Sequence, residues 1–250
     1  MKVILDNLIT WELESQGIAQ IDGNFKPDKS KDIILTRAHG ISPERKQTLE
    51  NYGCPMVDCT CPYVKKTAKF LENFSKNNFD VIVLGDKNHT EIQGLIGYVK
   101  TQVHVAQNKT EILEIENKIM DKASKLLLLT QSTLDVEFFN FAKTSLARHF
   151  PNLVAINTIC QATKARQQGL RDLISTGIDA VVVLGDKTSA NTCNLAAIAR
   201  KYCPHVFHLE NIDQAKVLDL RGINTIGVTS GASVPNFLIN SIYSYLKTCG

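Results

Sequence analysis

Two cysteines stand at matching places in a duplicated stretch of the chain, and thiolates in such places can bind a metal. Cys61 begins the run CPYVKKTAKFLENFSKNNFDVIVLGDK, and Cys160 begins the similar run CQATKARQQGLRDLISTGIDAVVVLGDK. Pro62 directly after Cys61 can start a helix, whose N-terminus stabilises a thiolate, and Cys160 occupies the equivalent place in the next unit. A single cysteine of this kind is more often a packing residue. Two at equivalent places favour separate lobes that each lend one thiolate to a shared metal centre.

Polar side chains in the same repeat indicate an anion site. The first half of the repeated unit aligns His89 with Ser189 and Glu91 with Asn191. Imidazole, hydroxyl and amide groups at the start of a helix are donors that suit an anion. A carboxylate weakens anion binding unless it has a task of its own, and for Glu91 that task is proton delivery through a substrate hydroxyl. The alternative for Glu91 is a purely structural role as an acidic residue stabilised by the helix dipole.

The second half of the unit occurs three times, at residues 33–42, 127–135 and 225–234. The alignment is anchored on the threonines of these runs, which are Thr36, Thr130 and Thr229. It places three polar side chains at one equivalent position: His39, Thr133 and Ser233. Because only two first halves with a cysteine are present, we expect the chain to begin partway through the first unit. The predicted lobes are residues 1–60, which form an incomplete first lobe, then 61–158 and 159–250.

The repeated polar motifs lie between predicted strands and predicted helices. Apolar runs without polar alternation predict buried parallel strands at residues 81–84, 126–129, 180–184 and 225–228. Apolar residues at three- and four-residue spacing predict amphipathic helices at residues 64–76, 136–149, 165–175, 194–202 and 236–247. Alternating strands and helices predict an α/β fold of parallel sheets, in which ligands bind beyond the carboxyl ends of the strands.

Composition and charge argue against several classes of function. The chain has 250 residues, of which 44% are hydrophobic and 21% are charged, as in ordinary globular proteins. A net charge of +3 without a basic run gives no support for nucleic-acid binding. No apolar stretch approaches the roughly 20 residues that span a bilayer, and the acidic start of the chain is unlike a signal peptide. We therefore expect a cytoplasmic protein with no nucleic-acid or membrane partner.

The remaining cysteines have simpler interpretations. The chain has seven cysteines, and an odd number without a secretory signal argues against a disulfide framework. We expect Cys54, Cys203 and Cys249 to be packing residues. Cys193 lies in a loop-like segment without a repeat partner. Cys59 has an alternative role, because the C-x-C arrangement could supply two sulfurs, although a small packing residue is the simpler interpretation.

Seven motifs follow one another along the chain: RAHGIS from Arg37, DCTCPYVKK from Asp58, NHTEIQG from Asn88, TQSTL from Thr130, TICQATKARQ from Thr158, SAN from Ser189 and TSGASVP from Thr229. In this order they resemble the 4-hydroxy-3-methylbut-2-enyl diphosphate reductases, the LytB-type iron–sulfur enzymes of the non-mevalonate isoprenoid pathway. Each motif alone is weakly specific. Together they cover nearly the whole chain and are highly specific.

The resemblance implies a three-lobed α/β fold, a pseudo-threefold trefoil of small parallel-sheet domains around a central cavity. It implies a [4Fe-4S] cluster held by one cysteine per lobe, with Cys61 and Cys160 as two of the ligands. The family's reaction uses two electrons and two protons to remove a hydroxyl from an allylic diphosphate as water. The products are isopentenyl and dimethylallyl diphosphate, and an electron donor such as ferredoxin or flavodoxin is implied as a partner.

Carried over position by position, the resemblance also implies roles for polar side chains. Glu91 would relay protons. Five residues would hold the diphosphate: His39, His89, Ser189, Asn191 and Ser233. Ser132 and Thr133 would lie near the reacting hydroxyl.

Some positions depart from the family's pattern. The family's first cysteine lies in a Gly-Phe-Cys-Ala-Gly-type loop, and the third cluster ligand that it would supply is not found before Cys61. Asp6 stands where the family has a diphosphate-binding histidine, and its charge would repel a diphosphate. Ala190 replaces a usual serine and loses a donor. Ser132 replaces a usual threonine and keeps the hydroxyl.

Two explanations of these departures stay open. In the first, the chain is truncated at its N-terminus, and the reductase chemistry belongs to a longer form. In the second, the chain is a degenerate relative that binds diphosphate without an intact cluster and is inactive.

Overall fold

The structure is a computed structural model that describes residues 2–3, 27–120 and 125–248. Asp6 and Cys249 lie outside these residues, so the predictions about them stay predictions. The strands are β1 (Lys2–Val3), β2 (Ile34–Leu35), β3 (Met56–Val57), β4 (Asp80–Leu84), β5 (Val103–Ala106), β6 (Leu126–Thr130), β7 (Leu153–Ala155), β8 (Ala180–Leu184), β9 (His205–Leu209) and β10 (Ile226–Ser230). The helices are α1 (Pro43–Glu50), α2 (Pro62–Lys76), α3 (Thr90–Ile96), α4 (Lys109–Ile119), α5 (Val136–Leu146), α6 (Gln161–Ser175), α7 (Ala190–Tyr202), α8 (Ile212–Lys216) and α9 (Asn236–Lys247).

Within the described residues the strands form three sheets. The first has the order β1-β2-β3, the second β5-β4-β6-β7 and the third β10-β8-β9. Every one of these strand pairs is parallel. The predicted α/β architecture of parallel sheets is confirmed. Of the described helices, none is long and apolar enough to cross a membrane.

The five predicted helices are present, whereas α1, α3, α4 and α8 were not predicted, and the first turns of α6 and α7 were missed. Helix α6 begins at Gln161 and α7 at Ala190, each four residues before the predicted start. The residues of these first turns are mostly small or polar, as is common just after a capping residue. A search for apolar residues at helical spacing therefore does not detect them. Helix α5 ends at Leu146, before the predicted end at residue 149.

The chain divides into two compact units. The first unit comprises Met1–Ser132 and Glu137–Thr158, and the second comprises Thr133–Val136 and Ile159–Gly250. In the second unit, hydrophobic side chains cover both faces of β8. Val181 and Val183 belong to a cluster with side chains of α6 and α7, and Val182 and Leu184 pack with Ile242 of α9. Burial on both faces explains why the sequence of β8 is a continuous apolar run.

The strand register confirms the internal repeat and corrects one alignment. Leu84 of β4 pairs with Thr130 of β6, and Leu184 of β8 pairs with Ser230 of β10. The structural equivalent of Thr130 is therefore Ser230, and the alignment on Thr229 is wrong by one residue. A shared threonine at a strand end is a weak anchor, because only the hydrogen-bonded register decides which residues are equivalent.

The corrected register is the one that makes Thr133 and Ser233 equivalent, since each lies three residues beyond its strand end, whereas Ser233 lies four residues after Thr229. The loops that lead to them also match. Gln131 donates its backbone N–H to the carbonyl of the last residue of β4 at 2.7 Å, and Gly231 does the same to the last residue of β8 at 2.9 Å. The two units thus share a strand–loop–helix geometry at the ends of their central strands.

A short segment, Thr133–Val136, belongs to the second unit although it interrupts the first along the chain, and we call it the strap. Gln167 of α6 is buried and binds the strap at two points. Its Nε2 donates to the carbonyl of Leu134 at 2.8 Å, and its Oε1 accepts from the N–H of Val136 at 3.1 Å. The Gln167 side chain therefore satisfies two backbone groups, the Leu134 carbonyl and the Val136 N–H, that no strand or helix hydrogen bond satisfies.

Charged and amide side chains add to the hold on the strap. Asn194 donates through Nδ2 to the carbonyl of Thr133 at 2.7 Å. Asp135 forms ion pairs with Arg171 at 3.1 Å and with Lys201 at 2.8 Å. The strap is thus bound to both α6 and α7 of the second unit.

Replacement of Gln167 by leucine should destabilise the protein. Gln167→Leu removes both partners of buried backbone groups in the strap, and we expect the free energy of unfolding to fall by about 2 kcal/mol or more. Chemical denaturation measures the change. Gln168→Leu is the matched control, because the neighbouring Gln168 is exposed and bonds only to Asp172 in the same helix. The control should change stability by less than about 0.5 kcal/mol, and equal losses in both variants would contradict a stabilising role for the strap.

Candidate functional site

Helix N-termini carry several of the predicted site residues. Four of these residues are N-caps: Cys61 of α2, His89 of α3, Cys160 of α6 and Ser189 of α7. The first turn of a helix has backbone N–H groups without intrahelical partners, and a capping side chain supplies an acceptor. The same turn attracts anions, because these N–H groups and the helix dipole favour negative charge.

In the first unit, two imidazole rings lie beside the acid that was predicted to carry protons. His89 accepts the backbone N–H of Glu91 at Nδ1 with a distance of 3.1 Å, so its ring proton lies on Nε2. The His39 ring contacts the His89 ring edge to face, with 5.2 Å between ring centroids and an interplanar angle of 88°. The structure therefore brings together His39, His89 and Glu91.

Glu91 is a buried carboxyl group with both oxygens hydrogen-bonded. Only 2% of the surface of Glu91 is exposed to solvent. Ser132 donates its backbone N–H to Oε1 at 2.7 Å and its hydroxyl to Oε2 at 2.6 Å. Burial raises the pKa of Glu91, and the two bonds from Ser132 and the electrostatic effect of His39 oppose the shift only in part. A carboxyl in this state can store and release a proton at higher pH than an exposed glutamate.

The loop before Cys61 is held by Asp58. Thr36 donates its hydroxyl to Asp58 at 3.0 Å, Thr60 donates its backbone N–H at 3.0 Å, and Lys65 forms an ion pair at 2.8 Å. Burial alone would raise the pKa of Asp58, but the bonds from Lys65, Thr60 and Thr36 hold it well below its usual range. The carboxylate therefore keeps its charge and fixes the approach to the N-cap cysteine of α2.

In the second unit, one threonine connects Cys160 with Asn191. The backbone N–H of Thr163 donates to Cys160 Sγ at 3.3 Å, and the Thr163 hydroxyl lies 3.1 Å from the same sulfur. That hydroxyl also donates to Asn191 Oδ1 at 3.4 Å. The predicted cluster ligand and the predicted anion-binding amide are thus neighbours, separated by a single side chain.

Two buried polar atoms at the start of α7 have no hydrogen-bond partner within the described part of the chain. They are Asn191 Nδ2 and Thr192 Oγ1. Asn191 is 7% exposed, and Thr192 is fully buried. Buried polar groups are nearly always satisfied, so an unpaired amide nitrogen indicates that a ligand or water supplies the acceptor. This nitrogen lies in the first turn of a helix, where an anion is the favoured ligand.

The predicted site residues are distributed over both units. Residues of the first unit are His39, Cys61, His89, Glu91 and Ser132. Residues of the second unit are Thr133, Cys160, Ser189, Asn191 and Ser233. Ser189 caps α7 through Oγ, which accepts the N–H of Thr192 at 3.4 Å, and Ser233 is exposed in the turn between β10 and α9. The convergence of Cys61 and Cys160 on one centre stays a prediction.

Sequence reasoning missed Thr163. Its position in the repeat is three residues after the capping cysteine, and the equivalent residue after Cys61 is the buried Val64. Comparison of the two halves therefore hides a polar contact that only one half has. A usable signal was present nonetheless, because the third helical position is the one whose N–H a capping side chain accepts and whose own side chain can reach back to the cap.

The cysteines in the described residues are all free thiols. Cys54 and Cys203 are buried, as expected for packing residues, and Cys59 is exposed. Cys193 donates its Sγ–H to the carbonyl of Lys187 at 3.0 Å. In the described ranges, no three His, Cys, Asp or Glu side chains gather closely enough to hold a metal ion.

The sequence matches a family model described as LytB protein over residues 2–247. Two similar curated relatives are both named 4-hydroxy-3-methylbut-2-enyl diphosphate reductase. The relative from Caldanaerobacter subterraneus subsp. tengcongensis is 32% identical over 248 residues, which cover 99% of this chain and 84% of the relative. The relative from Opitutus terrae is 33% identical over 232 residues, which cover 93% of this chain and 78% of the relative.

Solved structures of such reductases have the same fold. The E-1-hydroxy-2-methyl-but-2-enyl-4-diphosphate reductase from Plasmodium falciparum matches with a TM-score of 0.86 and 28% identity over 98% of this chain and 76% of that protein. A structure of (E)-4-hydroxy-3-methyl-but-2-enyl diphosphate reductase, the terminal enzyme of the non-mevalonate pathway, matches with a TM-score of 0.67 and 28% identity. That match covers 99% of this chain and 88% of the other. The matches confirm the predicted fold class.

The raised pKa of Glu91 predicts a specific dependence of stability on pH. The unfolded carboxyl ionises near 4.5, whereas the folded carboxyl retains its proton to higher pH. The folded state therefore binds more protons between these two values, and stability should fall as pH rises through this window. In Glu91→Gln this fall should disappear. Denaturation curves from acid to mildly alkaline pH measure it.

Glu44→Gln is the control for this experiment, because Glu44 is exposed in the first turn of α1 and its replacement removes the same formal charge. The control should follow the wild-type curve. Identical curves for wild type and Glu91→Gln would mean that Glu91 does not have a raised pKa.

Proposed function

Because the chain belongs to the LytB protein family, we propose that it is an iron–sulfur 4-hydroxy-3-methylbut-2-enyl diphosphate reductase. The reaction breaks the bond between the allylic carbon and the hydroxyl oxygen. Two electrons and two protons convert one substrate into water and one molecule of isopentenyl or dimethylallyl diphosphate. The observation that carries the proposal is the buried Glu91 carboxyl, which is bonded at both oxygens to Ser132.

Glu91 and Ser132 form the proton-delivery part of the site. When Glu91 is protonated, the 2.6 Å bond between Ser132 Oγ and Glu91 Oε2 reverses its direction. The carboxyl then gives its proton to the Ser132 hydroxyl as that hydroxyl gives a proton to the departing hydroxyl of the substrate. Because burial raises the pKa of Glu91, a protonated population is available at a pH where exposed glutamates are ionised. Serine suffices at position 132, since the transfer needs only a hydroxyl group.

Donor groups from helix N-termini would bind the diphosphate. Ser189 and the unpaired Asn191 amide lie at the start of α7, where backbone N–H groups and the helix dipole favour phosphate. The Nε2–H of His89 and the ring of His39 add donors, and Ser233 adds a hydroxyl. These groups bind the charged end of the substrate and leave Glu91 and Thr133 for the hydroxyl end.

The donor chemistry of Cys61 and Cys160 fits an iron–sulfur cluster. Both are free, partly exposed thiols at the N-caps of 15-residue helices, and cysteine sulfurs are the usual ligands of iron–sulfur clusters. Cys160 Sγ accepts a backbone N–H, as cluster sulfurs commonly do. A bound cluster would supply the electrons, passed on from a donor such as ferredoxin or flavodoxin. A further ligand is needed besides these two cysteines, and the exposed Cys59 or an added thiol can supply it.

Anaerobic reconstitution with iron and sulfide tests the cluster proposal. The wild-type chain should turn brown with about four irons per chain, in keeping with a [4Fe-4S] cluster, and should turn over substrate with dithionite. Cys61→Ser and Cys160→Ser should each lose most of the bound iron. Cys193→Ser is the control and should retain it, because that thiol lies in the first turn of α7 and donates to the carbonyl of Lys187. Iron loss in Cys59→Ser would identify the further ligand.

A colourless chain after reconstitution that nevertheless binds inorganic diphosphate would contradict the reductase proposal. That result would identify the chain as an inactive diphosphate-binding relative. A chain that takes up iron equally in all four cysteine variants would refute the assignment of Cys61 and Cys160 as ligands.

Substitution of Ser132 tests the proton path. Ser132→Ala removes the hydroxyl that contacts Glu91, and we expect kcat to fall about 100-fold with little change in KM, because general acid catalysis contributes about that factor. Ser132→Thr keeps the hydroxyl and should retain most of the activity. Loss of activity in the threonine variant as large as in the alanine variant would contradict the proposed role.

A further inference from the structure

Thr163 is the only side chain that we find in hydrogen-bond distance of both Cys160 and Asn191 in the described part of the second unit. Thr163 is 3% exposed and Asn191 is 7% exposed, so water has little access to the bonds between them. The Thr163 hydroxyl lies 3.4 Å from Asn191 Oδ1 and 3.1 Å from Cys160 Sγ. Nothing in the proposed reaction gives this threonine a role.

The chemistry of the two groups restricts how they can bond. The oxygen of an amide only accepts hydrogen bonds, so Thr163 must be the donor in its contact with Asn191 Oδ1. With Oδ1 bound in this way, the amide nitrogen Nδ2 faces the other direction, and it is the buried atom that has no partner in the described residues. The amide nitrogen therefore has two N–H donors for which the described residues supply no acceptor.

A second arrangement is chemically available and has the opposite effect. If the Asn191 amide turned over, Nδ2 would donate to the Thr163 oxygen, and the Thr163 hydroxyl would donate to Cys160 Sγ instead. The amide oxygen would then face the ligand and repel an anion. When the Thr163 hydroxyl donates to Asn191, the amide nitrogen faces the ligand and can bind an anion. When it donates to Cys160, the amide oxygen faces the ligand and repels an anion.

We infer that Thr163 is a positioning residue that holds the Asn191 amide with its nitrogen towards the diphosphate. The inference rests on the proposed function, because it assumes that the ligand at the start of α7 is a diphosphate. It adds a residue that does not touch the substrate. Thr163 acts through Asn191, and its contribution is the orientation of a donor that is already buried and unpaired.

The backbone supports this arrangement. Thr163 N–H donates to Cys160 Sγ at 3.3 Å, which fixes the first turn of α6 and with it the position of the threonine side chain. Asn191 is in the first turn of α7, directly after the cap residue Ser189 and Ala190. Both groups in the contact are therefore held by regular helices and not by a loop. A rigid pair of this kind loses little freedom when a ligand binds.

Calorimetric titration of the full chain, prepared without iron, with inorganic diphosphate tests the inference. Asn191→Ala should weaken binding about tenfold, the effect of one bond to a charged group. Thr163→Val has the same shape without the hydroxyl and should weaken binding about fivefold, because the amide is no longer oriented. Thr163→Ser restores the hydroxyl and should bind within about twofold of the wild type. Should the valine variant fail to fold in a thermal melt, Thr163→Ala gives the same comparison.

The double variant Thr163→Val/Asn191→Ala separates positioning from a general structural effect. If Thr163 acts through Asn191, the double variant should bind no more weakly than Asn191→Ala alone. The reason is that loss of the Thr163 hydroxyl has no effect on orientation once the Asn191 amide is absent. Additive losses would show that Thr163 affects binding by another route and would overturn the inference. Wild-type affinity in Thr163→Val, with weakened binding in Asn191→Ala, would also overturn it and leave the proposed function intact. A wild-type chain that binds no diphosphate would overturn both.

Discussion

The backbone N–H groups at the start of a helix need acceptors, and in α3, α6 and α7 the acceptor is the side chain of a residue suited to chemistry. The N-caps of α2, α3, α6 and α7 are cysteine, histidine, cysteine and serine. The side chains of His89, Cys160 and Ser189 each accept an N–H of their helix and are also a candidate ligand or donor, whereas the Cys61 side chain makes no such bond. The parallel sheets place these helix starts beyond the carboxyl ends of strands. Capping and function therefore constrain the same side chains.

The two repeated units use one position for different chemistry. The second residue after the cap is Glu91 in α3 and Asn191 in α7, and both are buried. Glu91 is bonded by Ser132 from the loop after β6, whereas Asn191 is bonded by Thr163 from α6. The same position thus carries a buried acid in one unit and a buried amide in the other. In each unit a neighbouring hydroxyl contacts this side chain, Ser132 at Glu91 and Thr163 at Asn191.

The sequence predicts the parts of this arrangement that follow from local pattern. Buried strands such as β8 are continuous apolar runs, and the duplicated loops predict that His89 and Ser189 are equivalent. It does not predict contacts that depend on packing between distant segments. The register of β10 decided that Ser230, and not Thr229, matches Thr130. Thr163 was hidden because its counterpart in the repeat is an apolar residue, and the first turns of α6 and α7 were hidden because capping residues are polar.

The strap gives the second unit a discontinuous sequence. Its four residues are encoded before the rest of the unit and are separated from it by α5 and β7. A gene fragment that begins at Ile159 would therefore encode α6 with Gln167 but without the backbone groups that this side chain satisfies. A protein that acquired this fragment would have a Gln167 side chain without its two hydrogen-bond partners. It would also have Arg171 and Lys201 without the carboxylate of Asp135. Exchange of the complete second unit between genes would therefore require crossovers on both sides of residues 133–136 as well as before Ile159. Inheritance of the whole chain needs none of these crossovers.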